Sequence, residues 1–350
     1  MEGIDSEYLI LTIALWFGFY AIVVLSLNIE YGYGGIPNFG RALAVLMGGV
    51  AVGGLINRIL INIFNVTDGI IEASGTVKSI INSIIVKNPI LGIIILLSSL
   101  GLAAILGWIV GALFILPSAR LSEDYLAITL LAISEVTYLV LYYNVDIIGG
   151  YYGVSIPDVL AFIPGTKRIF VFTGILILIV FGCYIFIEKL LNSPYGRVLK
   201  AMRENELVAK AYGKNVMMLR VKTVALGSSI ASLAGALYSF YSVNVITTSF
   251  SRVEWTFYPI LMLILGGAGN NVGALLGAFT FVLTKVLLIT YKFEITSILH
   301  LPFQAVWLEY ILFGVVMLLI LLFKPEGLIK EKPVFTKAVK KVVKTKQKQK

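Results

Sequence analysis

One carboxylate stands in the middle of an apolar run. Glu135 is the eleventh residue of 125–143, close to the centre of a stretch long enough to cross a bilayer. An ionisable side chain at that depth is costly unless it is paired or does work. Two roles fit. In the favoured one, Glu135 is structural, hydrogen-bonded to Thr129, to Thr137 or to a neighbouring helix. In the other it meets the ammonium group of a substrate in transit. Lys285 is a poorer candidate for intramembrane charge. Other chemistries lack their residues. The single histidine, His300, sits near the end of an apolar run, so no nucleophilic triad and no imidazole cluster form around it. The lone Cys183 supports neither a disulfide framework nor a thiolate metal site. There is no G-x-x-x-x-G-K-[ST] phosphate loop, so the chain does not itself hydrolyse ATP. We expect no metal and no cofactor.

A second group of charges lies in "RVLKAMRENELVAKAYGKN", residues 197–215. Ser193-Pro194 before it is a helix start: a hydroxyl cap, then proline at the first helical position, where a missing N–H costs nothing. Val198, Ala201, Met202, Asn205, Val208, Ala209 and Tyr212 follow at helical spacing. Asn205 can cap a second short helix over 206–212, and Gly213 can end it. The pattern predicts one bent helix or two short ones along the membrane face, with Arg203, Glu204, Glu206 and Lys210 outward. Such an element either lies among lipid headgroups or docks a partner.

These groups need a frame. The chain is 59% hydrophobic and only 13% charged, with a mean hydropathy of +0.94. A soluble domain carries about 25% charged residues, so this is an all-α polytopic membrane protein. Apolar runs at 8–28, 41–56, 89–116, 125–143, 169–191, 223–243, 256–265, 273–291 and 305–323 predict nine spans, with a tenth pass or a re-entrant piece left open. The run 89–116 holds four glycines and is expected to tilt, kink or split. The acidic start MEGIDSEY lacks the positive flank of a cleaved signal, so the first run is expected to remain a span.

Residues 1–323 form the membrane domain in this reading, with a loop at 192–222 and a Lys-rich tail at 324–350. The tail holds ten lysines and two glutamates, a net +8 of the chain's +9. The basic balance therefore belongs to an extension and does not point to nucleic acid. The loop 192–222 carries seven Lys and Arg residues, against two in 144–168. By the positive-inside rule the loop and tail are cytoplasmic and the N-terminus is outside.

Two glycine clusters, GYGG at 32–35 and GGAG at 266–269, each lead into an apolar run, and each is followed by an asparagine, Asn38 or Asn270. Glycine-interrupted segments in corresponding halves mark discontinuous helices that line a pathway, or simply allow close helix packing. Gly34, Gly35, Asn38, Gly266, Gly267, Gly269 and Asn270, with Glu135, are the candidates for pathway or gate. The threading places both breaks near the cytoplasmic side.

The stretch "SPYGRVLKAMRENELVAKAYGKNVMMLRVKTVALGSSIASLAGALYSFY", 193–241, resembles the cytoplasmic loop and following span of LivM-type permeases of branched-chain amino-acid ABC importers. "LNIEYGYGGIPNFGRALAVLMGGV", "YLAITLLAISEV" and "LMLILGGAGNNVGALLGAF" resemble other parts of that family, in the family's order. The resemblance implies a second, homologous permease subunit, two ATPase subunits, an external substrate-binding protein and a plasma-membrane location. It implies a coupling segment at Arg203, Glu204, Asn205, Glu206, Ala209 and Gly213, which docks an ATPase. This chain has Leu207-Val208 where many members have a smaller or proline-containing pair. Leucine, isoleucine and valine are the expected substrates. Urea or short amides are an alternative within the fold, and an ion-coupled secondary transporter is the rival from another class.

Overall fold

The computed structural model describes residues 6–299, 305–323 and 326–331. His300 and residues 332–350 of the Lys-rich tail lie outside the described residues. The described chain is almost wholly helical; its two-residue strands Val154–Ser155 and Asn244–Val245 pair antiparallel.

Helix α1 (Ser6–Leu27) runs on through a π-helical turn, Asn28–Tyr33. Helix α2 (Arg41–Gly49) continues through another, Val50–Ile56, into Asn57–Ile63. Helices α3 (Ile70–Lys87), α4 (Pro89–Ile115), α5 (Glu123–Tyr143) and α6 (Lys167–Asn192) follow. Next come the short α7 (Pro194–Glu204) and α8 (Glu206–Ala211), then the long α9 (Val216–Ser242). A π-helical turn, Val253–Phe257, leads into α10 (Tyr258–Gly266), and α11 (Asn271–Leu299) and α12 (Ala305–Phe323) complete the order. Seven helices among the described residues are long and apolar enough to cross a membrane. The shorter α10 and the apolar α12 occupy the remaining two expected positions. The protein is a multi-pass membrane protein.

Helix α9 is the centre of the bundle, because small residues let its neighbours approach closely. A Cβ on Gly107 would collide with Ser232 and Ser228, and one on Gly48 with the Ser232 carbonyl. The Ser232 hydroxyl donates to the Ala103 carbonyl at 2.7 Å, joining α9 to α4. Helix α4 is continuous from Pro89 to Ile115, so it does not split; Gly107 and Gly111 pack on α9 and Gly92 on Val159. The expected loop 57–88 is instead mostly helix α3. Its buried Ala73, Val77, Ile81 and Ile85 recur every fourth residue, one stripe against the bundle.

Candidate functional site

Ser193 accepts from the Tyr195 N–H at 3.2 Å, with Pro194 in the first turn of α7, as expected. Asn205 is fully extended (φ −160°, ψ 107°) and its side chain accepts from the Val208 N–H at 3.0 Å, starting α8. Gly213 has φ +74°, and the Lys214 N–H reaches back to the Ala209 carbonyl at 3.1 Å. That is a Schellman stop, which only glycine enters without strain.

The predicted stripe needs correction on both sides of Asn205: before it Ala201 is exposed and Leu199 is buried instead, and at Asn205 the extended backbone breaks the helical period. Leu199, Met202 and Ala209 are buried, while Val208 and Tyr212, placed on the inner stripe by a continuous period, face outward. Leu207 is 75% exposed and Tyr212 80% exposed, so the outer surface of the elbow carries an apolar patch among its charges. Of the expected outward charges, Glu204 is open. Lys210 is exposed but paired with Glu206 at 2.8 Å. Glu206 also accepts from the buried Arg220, which donates to the Ala119 and Leu121 carbonyls as well. Arg220 thus ties α8 to α9 and to the turn after α4.

Arg203 points inward. Its guanidinium donates to the Gly32 carbonyl and to Glu331 Oε2, the latter at 2.6 Å. Burial disfavours its charge, but Glu331 and Glu204 more than offset this and hold the group above its ordinary value. The two glycine breaks meet at this point. Asn28 Oδ1 accepts from the Gly269 N–H at 2.9 Å, and a Cβ on Gly32 would lie 2.5 Å from the Gly269 nitrogen. Gly35 (φ +64°) and Gly269 (φ +80°) both lie against Arg203. Gly34 packs on Leu199 of α7. Asn28 also donates to Asn271, which donates to Glu188. Residues 326–331 lie over the second break: Leu328 and Ile329 N–H groups bond the carbonyls of Leu265 and Gly266, and Gly327 abuts Gly267. Lys200 reaches Glu331 at 3.6 Å. The elbow, both breaks and the first part of the tail therefore form one junction.

The two asparagines differ. Asn270 caps α11, accepting from the Val272 and Gly273 N–H groups. Asn38 is buried and donates to Glu30 Oε2 at 2.8 Å. Glu30 also pairs with Arg41 at 2.7 Å, both side chains fully buried. A Cβ on Gly227 of α9 would strike Glu30 Oε1, so that glycine makes room for the carboxylate. Sequence reading missed this pair, because the two residues sit at the edges of their apolar runs and nothing local shows that they meet.

Of the three partners expected for Glu135, the structure supplies the neighbouring helix. The Thr129 and Thr137 hydroxyls donate to carbonyls of their own helix, and Glu135 instead pairs with Arg252 at 3.0 Å. Lys285 is buried and committed. Its ammonium lies 2.9 Å from Glu254 and 3.6 Å from Glu309, over the rings of Tyr258, Trp16 and Tyr20. Such a cage neutralises and fixes a cation.

Residues 9–321 match the family model described as branched-chain amino acid transport system / permease component. The chain is 56% identical over 335 residues to the probable branched-chain amino acid transport permease protein LivM of Methanocaldococcus jannaschii, covering 96% of this chain and 97% of that one. It is 26% identical over 255 residues to the high-affinity branched-chain amino acid transport system permease protein LivM of Escherichia coli, covering 65% of this chain and 55% of that one. The LivM of Salmonella typhimurium is similar at 26% over 257 residues. No solved structure matches. With its membrane helices and nearly its whole length accounted for in this way, the chain belongs to the family of branched-chain amino acid transport permease components.

Proposed function

We propose that this chain is the LivM-type membrane subunit of an ABC importer for leucine, isoleucine and valine in the cell membrane. It works with a homologous second permease subunit, two ATPase subunits and an external substrate-binding protein. The N-terminus is outside; the 192–222 loop and the tail are cytoplasmic. Segment 204–213 docks an ATPase through the open Glu204, Leu207, Val208 and Tyr212, while Ala209 and Gly213 set its shape. Gly34, Gly35, Asn38, Gly266, Gly267, Gly269 and Asn270 form the gate region that the elbow moves.

The observation that carries this reading is Arg203, which binds a carbonyl of the first break and the carboxylate that lies over the second. A push on α7–α8 then reaches both breaks through one rigid group. The exposed Leu207, Val208 and Tyr212 supply apolar contact area of the kind a protein groove takes up, and the docking variant below separates that use from insertion among lipid headgroups.

The test is reconstitution with candidate ATPase and binding-protein subunits from the same organism. ATP-driven uptake of leucine that isoleucine and valine compete for, and urea does not, is the expected result. Uptake driven by an ion gradient without ATP would sink the reading. Leu207→Asp with Tyr212→Asp should release the ATPase subunits; normal co-purification would remove the docking role. Impermeant thiol reagents should label Tyr8→Cys and spare Thr345→Cys in intact cells, and the reverse pattern would overturn the topology.

A further inference from the structure

We propose that Glu135 and Arg252 form a station for the free amino acid on its way through the membrane, Arg252 meeting the carboxylate and Glu135 the ammonium. This rests on the reading of the protein as an amino-acid importer. Glu135 lies midway along α5, and its pair with Arg252 is open: the side chains are 32% and 46% exposed on the surface of this chain. The Glu30–Arg41 pair is sealed, and Lys285 is enclosed by its partners. Acyl chains cannot solvate an open pair at that depth, so water or protein must face it. In a permease subunit that face is the one turned to the pathway.

The surroundings suit a free amino acid with an apolar side chain. Tyr138 and Tyr142 follow Glu135 at three and seven residues, on the same face of α5. Their rings stack with centroids 6.1 Å apart, and Tyr151 continues the row 5.8 Å beyond Tyr142, past the end of the helix. The row leads from the helix end inward to the pair. Rings attract a passing ammonium by their faces and an aliphatic side chain by contact. Phe257 is exposed one π-helical turn after Arg252 and gives an apolar wall nearby. An internally neutral pair can open to accept a zwitterion, which is also neutral, without leaving any charge unmatched. A lone cation or anion would leave one. The station therefore selects zwitterions over single ions.

The test uses the reconstituted complex with its ATPases and binding protein. The double variant Glu135→Gln/Arg252→Gln removes both charges and keeps a hydrogen-bonding pair. Assembly and binding-protein-stimulated hydrolysis should persist, while leucine moved per ATP should fall at least about tenfold, the worth of one charge-assisted hydrogen bond. Leucine per ATP within about twofold of the unaltered complex, or loss of the ATPases from the variant, would make the pair a structural clamp and overturn the proposal. A second measurement does not depend on the substrate. In a Cys183→Ala background, a cationic methanethiosulfonate added outside should label Tyr138→Cys and Tyr142→Cys but not Val136→Cys, a neighbour on another face of α5. An unreactive Tyr138→Cys, or equal labelling of Val136→Cys, would show that the row does not line a water path. If the unaltered complex moves no branched-chain amino acid, the functional reading fails, and this labelling still decides whether the row lines a pathway.

Discussion

Two of the arginine–glutamate pairs, Glu30–Arg41 and Glu135–Arg252, have nearly the same geometry and opposite surroundings. Glu30–Arg41 is closed at 2.7 Å with no exposure on either side chain; Glu135–Arg252 is closed at 3.0 Å with both partners open. The first joins the end of α1 to the start of α2 across the glycine break, with Asn38 as a third member and Gly227 making room. Everything around it is fixed, so its work is to hold the break in one shape. The second lies on a surface and has room to exchange partners. The chemistry of the side chains is identical, and burial alone separates a clamp from a station.

This comparison can be pressed hardest at the sealed pair. Glu30→Ala should destabilise the protein by about 3–5 kcal/mol, because it strands a buried guanidinium. Thermal unfolding in detergent measures it, and the apolar double replacement Glu30→Leu/Arg41→Met should recover most of the loss. Arg203→Gln comes next. It removes charge-assisted bonds to Glu331 and Gly32 from a half-buried site and should cost about 2 kcal/mol, with a fall in ATP hydrolysis coupled to uptake. Glu135→Gln should cost less than about 1 kcal/mol of stability, since its pair is open to solvent or substrate. A loss as large as that of Glu30→Ala would erase the distinction drawn here. Lys210→Ala, which breaks an exposed pair one helical turn apart, should change stability least, by about 0–0.5 kcal/mol.

Much of this was legible in the sequence where the cause is local. Hydropathy located the long helices, and Ser193, Pro194, Asn205 and Gly213 fixed the ends of α7 and α8, because caps act within a few residues. The inner face of α8 was misjudged, since one extended residue at Asn205 shifts the phase of everything after it. Helix α3 was passed over because its stripe of Ala73, Val77, Ile81 and Ile85 is embedded among polar residues. The charge partners were illegible for a different reason. Arg252 lies more than a hundred residues from Glu135, and Glu254, Glu309 and Tyr20 come to Lys285 from three separate elements. Such pairings are set by how helices pack, and single-chain periodicity carries no record of it.

The residues of the junction around Arg203 come from widely spaced points in the chain. Arg203 reaches back 171 positions to Gly32 and forward 128 positions to Glu331. A ribosome builds from the N-terminus, so the elbow and the first glycine break emerge well before the glutamate that fastens them. Until Glu331 is made, Arg203 has only one side of its junction, and residues 326–331 have not yet covered the second break. A late stretch of the chain thus completes the junction. A C-terminally truncated chain would keep its membrane helices and still lack the contact that joins the two glycine breaks through Arg203.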